Sequence, residues 1–168
     1  NADRRPDDTQ ISLLVIHNIS LPPNEFVGNY VDHLFTNCLN PSFHPYFEEI
    51  SHLRVSAHLY IDREGIITQY VPLNRRAWHA GESSFDNRTC CNDFSIGIEL
   101  QGADHIPYTE IQYSRLGCLT RQLQSFFPLI TLDRIVGHSD ISPGRKTDPG
   151  DSFDWKRYLT LLQSGDAF

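Results

Sequence analysis

"ISLLVIHN", residues 11–18, is a run of mostly branched apolar side chains that ends on a histidine and an asparagine. An apolar run without alternation reads as a strand buried on both faces. "FSIGIEL" (94–100) has the same character but carries Glu99, and "LDRIVGH" (132–138) is a shorter version that ends at His138. "VSAHLYI" (55–61) and "IITQYV" (66–71) flank the turn "DREG" and read as an antiparallel hairpin. "YVDHLF" (30–35) reads as a short helix. Thr109 and Gln112 match a capping box opening a helix in which Leu116, Leu119, Leu123 and Phe126 recur at helical spacing. Asp151 or Ser152 is placed to cap a last helix with the stripe Trp155, Tyr158, Leu159 and Leu162. "SLPPNEFVGN" (20–29) and "NPSFHPYF" (40–47) read as loops, and so does the long connection 72–93; a connection of that length is usually functional. These elements predict an α/β chain, one domain over residues 1–168, with a central mixed β-sheet flanked by helices.

A chain of 168 residues fits one core. Its formal net charge of -7, with no Lys/Arg run, argues against a nucleic-acid partner, since phosphate is met mainly by Lys and Arg. No apolar stretch approaches the ~20 residues that cross a bilayer, so no membrane span is expected. Cys38, Cys90, Cys91 and Cys118 contain no CxxC pair and read as free thiols, which suits a reducing cytosol. The first residue is Asn, compatible with removal of a leader. A monomer is expected.

His17 and His138 each stand where a core strand hands over to a loop, the edge at which open α/β sheets gather functional side chains. "GHSDISPGRKTDPG" (137–150) follows the second of them with Lys146 and Asp148 on turn-rich backbone. Zinc accepts imidazole and carboxylate ligands, and a catalytic site keeps three protein ligands and one open position. His17, His138 and Asp148 could be such a set, although a strand-end histidine is more often only a satisfied polar residue. Glu99 is a carboxylate on a buried strand, costly unless it is paired, hydrogen-bonded or near a metal. At a strand edge it would simply face water. Beside a metal it is placed to take a proton, and Lys146, otherwise a solvated loop lysine, would hold an oxyanion.

The motifs "LLVIHN", "VSAHLYI", "REGIITQYVP", "WHAG", "CNDFSIGIELQG" and "GHSDISPGRKTDPG" occur in an order that resembles the type 2 family of N-acetylmuramoyl-L-alanine amidases, shared more distantly with peptidoglycan recognition proteins and phage amidases. "ISLPPNEF", "HPYFEEISHLRVSAH" and "RKTDPGDSFDW" resemble the AmpD-type branch, cytosolic enzymes that act on 1,6-anhydro-muropeptides in cell-wall recycling. The resemblance implies a zinc hydrolase of the bond between N-acetylmuramic acid and L-alanine. It implies one zinc held by His17, His138 and Asp148, Glu99 as the acid–base residue and Lys146 as its assistant. Asn18, Arg54, Trp78, His79 and Arg145 become candidates for contact with a muropeptide, with Arg76 and Arg88 behind them; guanidinium forks match carboxylates. Ala57 departs from the phage pattern, which has a tyrosine there, so proton transfer falls to Glu99. Cys90 stands where an arginine is expected. His58 reads as packing or support of the site, and His33, His44, His52 and His105 as surface or loop polarity. Competing readings are a secreted or periplasmic amidase of intact peptidoglycan and a muropeptide-binding module without activity; the complete set Glu99, Lys146 and three ligands argues against the second.

Overall fold

The two long apolar runs form β2 (Leu13–Ile19) and β8 (Ser95–Gln101), which pair in parallel along their whole length. The computed structural model describes residues 1–164 and builds a five-stranded sheet around this pair. Its order is β4 (Ile67–Gln69), β3 (Leu59–Ile61), β8, β2, β9 (Ile135–Gly137). All neighbours are parallel except β4, which closes the predicted hairpin with β3 at one edge.

Side chains alternate between faces along each strand and share a face across parallel register partners. Leu14, Ile16, Ile96, Ile98, Leu59 and Ile61 therefore form one layer, buried under α3 (Glu110–Phe126) and α5 (Trp155–Gln163) with Leu116, Leu123, Phe153 and Tyr158. Each such Leu or Ile contributes about 1.5–3 kcal/mol over its exposed state. The opposite face carries Leu13 and Val15 against Ala80, Phe94 and Ile141. Farther along it, Tyr60 packs with α1 (Tyr30–Phe35) and α2 (Pro45–Ile50). His17 and Glu99 are register partners on this second face.

The capping box of α3 is present: Thr109 Oγ1 accepts from the Gln112 amide at 3.2 Å, and Gln112 Oε1 accepts from the Thr109 amide at 3.0 Å. Several expectations need correction. "NPSFHPYF" is not all loop: a 3₁₀ turn at Pro41–Phe43 leads into α2, with Pro45 at its first position and His44 Nδ1 capping the Tyr46 amide. A proline read as a breaker is here an initiator, because its fixed φ and missing N–H suit the first helical turn. The cap of α5 is Asp154, which accepts from the Arg157 amide at 2.9 Å, while the Ser152 hydroxyl donates to the carbonyls of Ala103 and Ile106. Phe126 ends α3 76% exposed, past the last turn that faces the sheet. The long connection contains β5 (Arg75–Ala77), paired with β1 (Ala2–Arg4), and the small hairpin β6 (Ser84–Phe85) and β7 (Arg88–Thr89). Among the described residues all four cysteines are free, and no helix is long and apolar enough to cross a membrane.

Candidate active site

β2 delivers His17 near its C-terminal end, directly opposite Glu99 on β8. β9 stops at Gly137 and hands His138 to a one-turn helix, α4 (His138–Ile141), so this histidine opens a helix and is buried instead of riding on a loop. The Gly137 amide donates to Asp140 Oδ2 at 2.7 Å, which starts that turn. The following loop folds back, and the Ser139 amide donates to the Asp148 carbonyl at 3.0 Å. That bond brings the Asp148 carboxylate to the two histidines.

His17 Nδ1, His138 Nδ1 and Asp148 Oδ2 form a triangle with all three sides 3.0 Å. Hydrogen bonds alone cannot satisfy it, because the two nitrogens face each other as closely as each faces the carboxylate. A cation suits it: ligands about 2.0 Å from a tetrahedral ion lie about 3.3 Å apart. The donor set of two imidazoles and a carboxylate is one that could hold a metal ion. Burial pulls His17 down from 6.5 to about 4, more than the Asp148 carboxylate restores, so the imidazole is neutral, as a ligand must be. Burial pushes the Asp148 carboxyl up, but hydrogen bonds with His138 and His17 reverse this and hold it well below the usual carboxylate range.

Glu99 is 8% exposed, and its Oε2 is buried with no hydrogen-bond partner among the described residues. Burial raises its carboxyl well above the ordinary value, the Asp148 charge adds to this, and the Lys146 ammonium opposes it. These groups share a cleft of about 450 Å³. His17, Glu99, His138, Lys146 and Asp148 supply its chemistry, Leu21, Leu34, Phe35, Tyr46, Ile50 and Val55 an apolar lining.

Of the residues expected to meet a ligand, Asn18, Trp78 and His79 line the cleft. Asn18 spends both amide hydrogens, on Asp104 Oδ1 at 2.9 Å and the Pro149 carbonyl at 3.0 Å, and keeps Oδ1 as an acceptor. His79 Nδ1 lies 2.9 Å from His17 Nε2 and its Nε2 3.0 Å from Ser95 Oγ, so both ring nitrogens have partners inside the protein. Arg145 does not line the cleft; its Nη2 donates to the carbonyls of Ala80 and Glu82 at 2.6 and 2.7 Å. Arg54 is also off the lining, with Nη1 donating to Asn37 Oδ1 at 3.1 Å. Arg76 is tied to Asp3 and Asp93, and Arg88 lies 4.0 Å over the Phe94 ring. Cys90 adopts φ 59°, is exposed and lies outside the cleft. His58 supports the sheet as expected, Nδ1 accepting from the Gly97 amide at 3.0 Å. Asp104 and His105 line the cleft unforeseen; the one available signal was their place on the exit loop of the strand that carries Glu99.

Residues 7–151 match the family model of N-acetylmuramoyl-L-alanine amidases. The chain belongs to the N-acetylmuramoyl-L-alanine amidase family. The 1,6-anhydro-N-acetylmuramyl-L-alanine amidase AmpD of Haemophilus influenzae is 59% identical to this amidase over 161 residues, 96% of this chain and 88% of that protein. The AmpD of Escherichia coli K12 is 56% identical over 160 residues, 95% and 87% of the two chains. The crystal structure of a selenomethionine derivative of AmpD superposes with a TM-score of 0.93 at 56% identity, covering 96% of this chain and 89% of that one. A complex of the amidase AmiD from E. coli with anhydro-N-acetylmuramic acid-L-Ala-D-gamma-Glu-L-Lys gives a TM-score of 0.66 at 27% identity, over 94% of this amidase and 60% of that chain. The expected α/β architecture with a mixed central sheet is therefore that of an amidase.

Proposed function

We propose that this amidase hydrolyses the amide between 1,6-anhydro-N-acetylmuramic acid and L-alanine in small muropeptides, using one zinc ion held by His17, His138 and Asp148. The observation that carries the reading is the 3.0 Å triangle of donor atoms beside a buried carboxyl, Glu99, whose Oε2 has no partner among the described residues. When bound, zinc supplies Lewis acidity, polarising a carbonyl and lowering the pKa of water toward ~7. Glu99 Oε2 takes the proton of the attacking water. A carboxyl raised by burial accepts it more readily than an exposed one and returns it to the departing alanine nitrogen. The Lys146 ammonium stabilises the charge that develops on the carbonyl oxygen. Asn18 Oδ1 accepts from a substrate N–H, and Trp78 with the apolar lining excludes water around the sugar.

Similarity to the AmpD proteins supports the anhydro-sugar specificity. Three exposed free thiols, Cys38, Cys90 and Cys118, favour the cytoplasm as the compartment, and the protein acts as a monomer in this reading. The test is incubation of the purified protein with an anhydro-muropeptide, the matching non-anhydro muropeptide and murein sacculi, with and without a chelator, followed by mass analysis of the products. Release of the stem peptide from the anhydro-muropeptide, faster than from the other two and stopped by the chelator, is expected. Equal or faster release from sacculi would promote the cell-wall amidase reading, and chelator-resistant turnover would remove the metal.

A further inference from the structure

We infer that the turn Trp78–Gly81 fixes the protonation pattern of both histidine ligands from behind, with His79 and Arg145 as positioning residues instead of substrate contacts. The inference rests on the metal reading above. A histidine that gives Nδ1 to a metal must carry its proton on Nε2, and the acceptor opposite Nε2 decides whether it does. For His138 that acceptor is the Ala80 carbonyl, 3.0 Å from Nε2, and a carbonyl can only accept. For His17 it is His79 Nδ1 at 2.9 Å. Two consecutive residues of one turn thus serve two ligands that lie on different elements, β2 and α4.

His17 needs this acceptor more than His138 does. Asp148 Oδ2 lies 3.0 Å from its Nδ1 and, with no cation present, would draw the proton to that nitrogen, where it blocks the metal. His79 competes for the same proton from the far side of the ring. It can do so when its own proton sits on Nε2, where Ser95 Oγ at 3.0 Å is able to accept it, because the Nδ1 lone pair is then free for His17.

The placement of the turn is built. Asn92 Oδ1 accepts from the amides of both His79 and Ala80, at 3.1 and 2.8 Å. Gly97 leaves room for the His79 ring, since a Cβ there would stand 2.5 Å from its Cγ. Arg145 Nη2 holds the Ala80 carbonyl at 2.6 Å and Ser142 Oγ at 2.7 Å, joining the turn to the loop that carries Asp148.

His79→Asn and His79→Leu separate the acceptor from the packing, because the two replacements have nearly the same shape and only Asn offers an oxygen near the place of Nδ1. Zinc affinity is read by competition with a chromophoric chelator, and folding by thermal melting. His79→Leu should bind zinc about 10–100-fold more weakly than the unaltered protein, the range for loss of a group that orients a ligand, and His79→Asn should recover most of the loss. Both variants should show a cooperative melt in the absence of zinc, which establishes that they fold. Zinc binding by His79→Leu as tight as in the unaltered protein, or equal weakening in both variants, would overturn the inference. Should either variant fail to fold, the ring ¹⁵N shifts of the unaltered, zinc-free protein decide: a proton on Nε2 of His17 and His138 is expected, and Nδ1–H on His17 overturns the idea. His17→Ala tests the parent reading separately, since undiminished zinc there removes the metal assignment itself.

Discussion

A carboxyl that has lost its water and faces a second carboxylate holds its proton more tightly, and Glu99 is in that position. Glu99→Gln keeps size and hydrogen-bonding groups but cannot shuttle a proton. Its kcat should fall about 10²–10⁴-fold, the usual contribution of a positioned acid–base group, with metal content unchanged. Turnover near the original rate, with zinc retained, would move the role to another residue. His138→Ala removes one of the three proposed ligands and the hydrogen bond between its Nε2 and the Ala80 carbonyl. Stoichiometric zinc that survives dialysis in that variant would dismiss the ligand assignment. At this scale the sequence was informative where chemistry sits at the end of an apolar run: His17, Glu99 and His138 could be singled out from their strands. Asp148 and Lys146 could be picked out from the turn-rich stretch after His138, but their convergence on the site leaned on family resemblance, because a loop has no period that says where its side chains point. The behaviour of His79 and Arg145 was illegible. Each depends on partners more than fifty residues away, His17 for one and Ala80 for the other.

Elements with a local signature were readable and those made by distant pairing were not. The capping box at Thr109 announces α3 by itself, whereas β1 and β5 are three residues each and exist because they meet. The apolar stripe of α5 was visible, but its cap was misplaced by two or three residues, since Asp151, Ser152 and Asp154 are all good cap formers and only the backbone decides among them. Asp154→Ala should cost about 1 kcal/mol, seen as a lower denaturant midpoint at unchanged slope. Asp140→Ala, remote from that helix, should leave α5 unaffected in hydrogen exchange.

The strap formed by β1 has a pH dependence of its own. Hydrogen bonding to Arg76 lowers the Asp3 carboxyl from 3.8 to about 2. Because the folded value is depressed, the stabilisation is complete above the unfolded value and is lost as pH falls through about 4 toward 2. Asp3 is 39% exposed, so solvent screening keeps the effect below about 1 kcal/mol. Asp3→Asn should be less stable than the original at pH 6 and nearly equal to it at pH 2; a gap that stays constant across this range would count against the pairing.

For the molecule as a whole, a ligand that binds the folded chain and not the unfolded one adds stability in proportion to its saturation. At a free zinc concentration one hundred times the dissociation constant the gain is about 2.7 kcal/mol, so chelation should lower the melting temperature as well as stop turnover. His17→Ala should melt at one temperature with or without chelator. If the unaltered protein also fails to respond, metal does not bind at the triangle.

The order in which the sheet is assembled differs from the order in which it is synthesised. β2 is the second strand of the chain, yet its two neighbours are β8 and β9, which begin at Ser95 and Ile135. A ribosome adding about 5–20 residues per second leaves the run "ISLLVI" without either partner for on the order of ten seconds. Through that interval the strand destined for the centre of the sheet travels as a bare apolar segment of nascent chain. Arg5 waits too, since the carbonyls it will hold belong to Leu73, Asn92, Asp93 and Ser95. The same topology that carries His17 to the middle of the site makes this amidase a client for whatever shields nascent chains, and its yield should fall more steeply with temperature and expression rate than its melting point alone would suggest.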